Sequence, residues 1–341
     1  MKAGLYILIF TAILASCKPE VEEPVYGTPY TLVIPQGLPT MAIPANNPMT
    51  YEGIALGKKL FYDPILSGDN TQSCASCHLQ INGFTDPNQF STGIDGVQGN
   101  RNAMPLINLG WQTKFFWDGG ANGLESQVLG PITNPIEMHE DLANAIAELS
   151  ADADYPSLFK AAFGTEEITS QSIMRAIAQF ERTLISGNSK YDKYMRGEVQ
   201  LTQQELDGMN LFSDMDKGDC VHCHVMGSTF SDFEFRNTGL DSIYADAGRY
   251  IITLNENDRG KFKTPSLRNI ELTAPYMHDG RFQTLLECVQ HYNTGFHYSQ
   301  NLDPNLFFAT KGRMTIQEME AIVAFMKTLT DTEFITNPAF H

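Results

Sequence analysis

A helical period runs through several separate windows of the chain, and no strand period is sustained anywhere. From Ser170 to Ile185, the positions Ile173, Ala176, Ile177, Phe180 and Leu184 form one apolar stripe, which predicts a core-packing helix. Thr50 stands where a cap belongs and predicts a helix over Tyr51–Tyr62, ended by Asp63-Pro64. Shorter helical runs fall at Asp141–Leu149 and Ser157–Phe163. Three S/T-x-x-E boxes open further helices. Thr202–Glu205 starts one that runs to Phe212, and Thr284–Glu287 one that runs to about Asn293. Thr315–Glu318 starts a closing helix with Met319, Ile322, Val323 and Met326 inward. Residues 79–140 are rich in Gly, Pro and Asn and read as loop. The pattern predicts a mostly α fold with long loops.

The two ends of the apolar scale add compartment and tether. Lys2 precedes an apolar run from Leu5 to Leu14, too short to span a bilayer as a mature helix. Leu14-Ala15-Ser16-Cys17 resembles a lipobox, which predicts a signal peptide over 1–16 and a lipid on the Cys17 thiol. An ordinary secretory signal is the alternative. Either way the mature chain is exported, and acyl chains on Cys17 would hold it at a bacterial membrane, facing the periplasm or the cell surface. Residues 17–49, rich in Pro and Glu, read as a tether leading into an extended approach. The 341 residues carry a formal charge of −17 and no basic run, which excludes nucleic acid as a partner on charge grounds. The acidic surface suits solubility first and a basic partner second.

The cysteines carry the chemistry. Cys74-Ala75-Ser76-Cys77-His78 reads C-x-x-C-H, and so does Cys220-Val221-His222-Cys223-His224. Two thiols three apart on a turn reach the two vinyl groups of a haem, and the next residue, a histidine, lies under the iron. A zinc site or a thioredoxin-type pair needs no histidine there. Two covalent haem c groups are therefore expected, held by Cys74, Cys77 and His78 and by Cys220, Cys223 and His224. Cys288 is left over and reads as a buried thiol.

The halves echo one another beyond these motifs. Phe84 and Asp86 stand at the same distances from His78 as Phe230 and Asp232 from His224, and Thr92-Gly93 corresponds to Thr238-Gly239. Trp117-Asp118-Gly119 matches His278-Asp279-Gly280, followed at equal spacing by Leu124 and Leu285, then Val128 and Val289. Duplication of one haem unit is the expectation, with domains over 50–200 and 201–341.

With these motifs on the page, the chain over about residues 50–330 resembles the bacterial di-haem cytochrome c peroxidases, the family that also contains the MauG proteins. Leu56–Phe61 with Asp63-Pro64, Gly83–Asp86, Arg101-Asn102, Phe116–Gly119, Gln127 with Gly130-Pro131, Glu137-Met138 and Thr273–Tyr276 with His278 carry the likeness. It implies two cytochrome c-like haem domains, the first peroxidatic and the second an electron relay. It implies Glu137 as the acid–base carboxylate at the peroxide, Gln127 as a residue ordering water there, and Trp117 as the indole between the haems. It also implies a calcium ion held by Asn102 and the carbonyls of Thr273 and Pro275. The partners implied are hydrogen peroxide and a small cytochrome c or cupredoxin donor.

Two departures bear on function. Many family members carry a histidine ligand in the loop after the first motif, where this chain has Ile94. The first haem is therefore expected to be five-coordinate or water-bound, with His139 an unfavoured substitute. Counted from the Pro-Tyr-x-His block as in the family, whose usual residue there is methionine, the resemblance implies Tyr292 as the far ligand of the second haem; it shares one helical face with Leu285, Cys288 and Val289, whereas His291 points about 100° away. A tyrosine is the MauG arrangement; Met277 is the fallback. The expected function is reduction of peroxide to water, electrons passing from the C-terminal to the N-terminal haem. A MauG-like oxidase that modifies a protein side chain through a high-valent di-haem state is the alternative, and a non-catalytic di-haem carrier is the alternative of another class.

Overall fold

The structure is a computed structural model that describes residues 26–307 and 312–341. The expected signal peptide and lipid-bearing Cys17 lie outside the described residues. Thr50 caps the helix Tyr51–Tyr62 through its side chain, which accepts from the Gly53 N–H. The Thr202, Thr284 and Thr315 boxes open Gln203–Ser213, Leu285–Gln290 and Ile316–Lys327. Ser170–Arg182 buries Ile173, Ala176, Ile177 and Phe180. Leu142–Ala151 and Tyr155–Phe163 complete the first helical layer. The one strand pair among the described residues, antiparallel Phe235–Arg236 with Phe262–Lys263, is too short to leave an alternating pattern in the sequence.

Each half is built on one close helix crossing. Tyr51–Tyr62 packs on Ser170–Arg182, and Gln203–Ser213 packs on Ile316–Lys327. A Cβ on Gly57 would stand 1.9 Å from the Ala176 carbonyl oxygen, and one on Gly208 would stand 1.8 Å from that of Ala321. Glycine is required at both because the two backbones touch. Around the first crossing lie Leu56, Leu60, Ile132 and Phe159. Around the second lie Phe212, Phe230, Ile322 and Phe325. Burying each such side chain contributes roughly 1.5–3 kcal/mol.

The sequence expectations need four corrections. Residues 26–49 are extended but docked rather than free. Tyr30 N–H donates to Met49 O at 2.9 Å, Trp111 Nε1 donates to Pro39 O, and Met41 is buried against Gly110. Leu124–Thr133 is a helix within the stretch read as loop. The helix opened at Thr284 stops at Gln290 and continues as a π turn over His291–Gly295. The last residues return to the first half: Phe334 and Phe340 pack with Phe61 and Phe84, while Tyr191 packs in the core of the second half.

The halves meet through reciprocal backbone bonds. Asn102 N–H donates to His278 O at 2.7 Å, and Lys263 N–H donates to Trp117 O at 2.7 Å. Asn102 and Lys263 stand at equivalent places in the repeat, as do Trp117 and His278. The contact is thus self-complementary, like that of a two-fold dimer.

Candidate di-haem site

Both attachment motifs form short helical turns, Cys74–Cys77 and Cys220–His222. In the first, the Ser73 N–H donates to Ser76 Oγ at 3.0 Å. His78 Nδ1 lies 2.8 Å from the Phe84 carbonyl, and His224 Nδ1 lies 3.0 Å from the Phe230 carbonyl. Phe84 and Phe230 are fully buried, with φ of 59° and 54°, and that left-handed kink turns their surroundings back onto the imidazole. An Nδ1–H donated to a carbonyl fixes the tautomer and leaves Nε2 with its lone pair free. Burial pushes both imidazoles below the usual histidine range, which favours the neutral ligand form. The residues present therefore fit two haem c groups: four free thiols on turns, each pair followed by an oriented histidine.

The surroundings of the first motif differ from those of the second. Glu137 sits in the turn after Leu124–Thr133, and its charge raises the Cys77 thiol together with burial and Asp86. Although Glu137 is accessible at its edge, enclosure by its neighbours raises its carboxyl above the usual range against the opposing Asn134 hydrogen bond. Gln127, on the same helix, has a buried Oε1 without a protein partner. The loop 91–99 docks on this turn: Ile94 N–H donates to Glu137 O at 3.0 Å. His139 is held by Asp95, with Nδ1 2.6 Å from Oδ2, in an exposed pair.

The second motif opens on a large, mostly apolar cavity. Cys220, Cys223 and His224 line it, and so do Tyr292, Met277 and Cys288. Burial and the neighbouring cysteines, Cys223 first, push the Tyr292 hydroxyl far up. His291 does not line this cavity; its Nε2 lies 2.9 Å from the Thr238 carbonyl. The cavity also takes Trp117 and Asn102 from the first half. Trp117 Nε1 donates to Asn102 O at 2.8 Å, so the indole of one half is fixed at the wall of the other's cavity. Asn102 Nδ2 faces the carbonyls of Asn88 and Gln89 at 3.2 Å, and Thr273 and Pro275 line the same wall.

Sequence reasoning missed Glu181. It is 4% exposed, its Oε2 has no partner, and burial pushes its carboxyl up to about 8. Its charge reaches the Cys74 thiol. The signal was present: Phe180-Glu181-Arg182-Thr183-Leu184 aligns with Phe325-Met326-Lys327-Thr328-Leu329, which places an acid where the second half has a cavity-lining methionine.

Duplicated helical units, each presenting an oriented C-x-x-C-H turn, define a di-haem c-type redox protein. Residues 51–200 match the family model described as di-haem cytochrome c peroxidase. Cytochrome c551 peroxidase of Nitrosomonas europaea is 39% identical over 307 residues, 86% of this chain and 84% of that protein. Methylamine utilization protein MauG of Methylorubrum extorquens is 37% identical, over 84% of this chain and 80% of that one. A crystal structure of a MauG-like protein associated with microbial copper homeostasis superposes with a TM-score of 0.86 at 37% identity, covering 92% of this chain and 99% of its own. The chain belongs to the di-haem cytochrome c peroxidase family, and it is a cytochrome-c peroxidase-type oxidoreductase with two haem c groups.

Proposed function

We propose that the chain reduces hydrogen peroxide to water at the first haem, with electrons that a small exported cytochrome c or cupredoxin delivers to the second. One observation carries this reading: the charge of Glu137 reaches the Cys77 thiol of the first motif, while the nearby histidine is tied to Asp95. The haems supply the redox centres when bound. Glu137 takes a proton from one peroxide oxygen and returns it to the other, a task that a carboxyl raised above its usual range serves better than a free one. The orphaned Gln127 Oε1 accepts from and orders the water that leaves. Trp117 shortens the path between the haems from its place at the cavity wall. Asn102, with the carbonyls of Thr273 and Pro275, holds a calcium ion that steadies this junction; oxygen donors suit that hard cation. In this reading 50–200 and 201–341 are the two haem units, with Phe334 and Phe340 at the end of the second seated in the core of the first. A lipid on Cys17 tethers them on the periplasmic side or at the cell surface.

With Ile94 in the loop and His139 engaged, the ferric protein is expected to show one high-spin haem and to react with stoichiometric peroxide without prior reduction. Two low-spin haems and no reaction would overturn the reading and leave an electron carrier. A second reading, a MauG-like oxidase of a protein side chain, rests on Tyr292 at the cavity built on His224. A Tyr292→Phe chain that loses its peroxide-treated spectrum but keeps donor turnover would favour it, and would favour Tyr292 over Met277 as the far ligand.

A further inference from the structure

Lys263 is a buried cation that no ion pair among the described residues neutralises. It is 3% exposed, and its Nζ donates only to neutral oxygens, Gln112 Oε1 at 2.5 Å and Lys114 O at 3.0 Å. Among the described residues no carboxylate forms an ion pair with it. The charge of Asp118 reaches it through space, but Asp118 is committed to Arg101. An ammonium has three protons to give and is costly to bury without an opposite charge. Burial accordingly pushes this amine down to about 7. Lys263 also lines the cavity that holds His224, Cys220 and Cys223. That cavity takes a haem, and a haem carries two carboxylates.

We propose that Lys263 is the ammonium that pairs with a carboxylate of the second haem, and that this charge raises the haem's reduction potential. The inference rests on haem attachment at Cys220 and Cys223. A fixed positive charge disfavours the extra positive charge of the ferric state, so it favours reduction. The first half offers no counterpart, since the equivalent position is the neutral Asn102.

The test is a potentiometric titration of the haem-loaded chain, with the first haem as internal control. In Lys263→Met, the reduced-to-oxidised ratio of the second haem at fixed ambient potential should fall tenfold or more, which is 59 mV for one electron. Lys263→Gln still donates to Gln112 and Lys114 but carries no charge; it should show the same fall. Gln112→Leu keeps the charge and should stay within twofold of wild type. A ratio within twofold in Lys263→Gln would overturn the inference and leave Lys263 as a clamp between the halves. Mass spectrometry of the wild-type chain separates the two levels: fewer than two haems would overturn the attachment reading along with this one.

Discussion

The two halves share a backbone plan and differ in the charges they bury. Both cross their helices at a glycine, both turn a left-handed phenylalanine onto the histidine, and both place an asparagine, Asn108 or Asn269, in the left-handed region at matching points. The first half then adds an acid at the haem motif, Glu137, and a second, Glu181, in its core. The second half has Met326 in place of Glu181 and a cavity with Tyr292 and Met277 instead of an exposed carboxyl turn. Shared backbone holds a haem; unshared side chains decide what that haem does.

The largest test of that division is Glu137→Gln. Peroxide turnover with a reduced cytochrome should fall 10²–10⁴-fold, the usual contribution of a placed acid–base group, with haem content unchanged. Because burial raises the Glu137 carboxyl, the acid limb of the wild-type kcat/KM profile should lie above that of an exposed glutamate. A loss below tenfold would move the chemistry elsewhere.

The shared backbone is tested by Gly57→Val and Gly208→Val. Each wedges a side chain into a carbonyl, and each should cost about 2–3 kcal/mol in denaturant unfolding. If only one of the pair destabilises, the halves are not equivalent scaffolds.

Glu181→Met gives the first half the residue of the second. The Glu181 carboxyl titrates near 4.5 when free and at about 8 in the fold, so the fold binds its proton more tightly. That stability is present below about 4.5, declines as pH rises and is gone above about 8. The variant should be more stable than wild type by roughly 1–2 kcal/mol at pH 9, with a smaller difference at pH 5. Equal differences at both pH values would show that the carboxyl is not strained.

The smallest effect belongs to His139→Ala. The exposed pair with Asp95 is worth about 0–1 kcal/mol. The first-haem spectrum should not change, and a switch in its spin state would bring His139 back as a ligand.

How much of this was legible depends on how local each signal is. The Thr50, Thr202, Thr284 and Thr315 caps lie within four residues of the helices they open, so they could be read directly. Leu124–Thr133 has Gly123 at its start, no side-chain cap, and Gly130-Pro131 inside it, so its local chemistry argues for loop. The return of Phe334 and Phe340 to the first core is a tertiary event with no local mark. The attachment cysteines were plain for the same reason as the caps. Glu137 and Gln127 came only through resemblance, because one acid and one amide in a loop carry no pattern of their own. Glu181 was marked only by the repeat, which sets it against Met326, and Lys263 was invisible, since nothing in a sequence says that a charge is buried until the packing is known.

The paired bonds Asn102 to His278 and Lys263 to Trp117 carry one more consequence. A seam that makes the same bond in both directions has no upstream and no downstream end. One-way current through such a seam has to be imposed by what decorates it. On the proposed function, the direction of electron flow is therefore set by a few replaceable side groups, and a small set of exchanges between the halves is expected to level or reverse it.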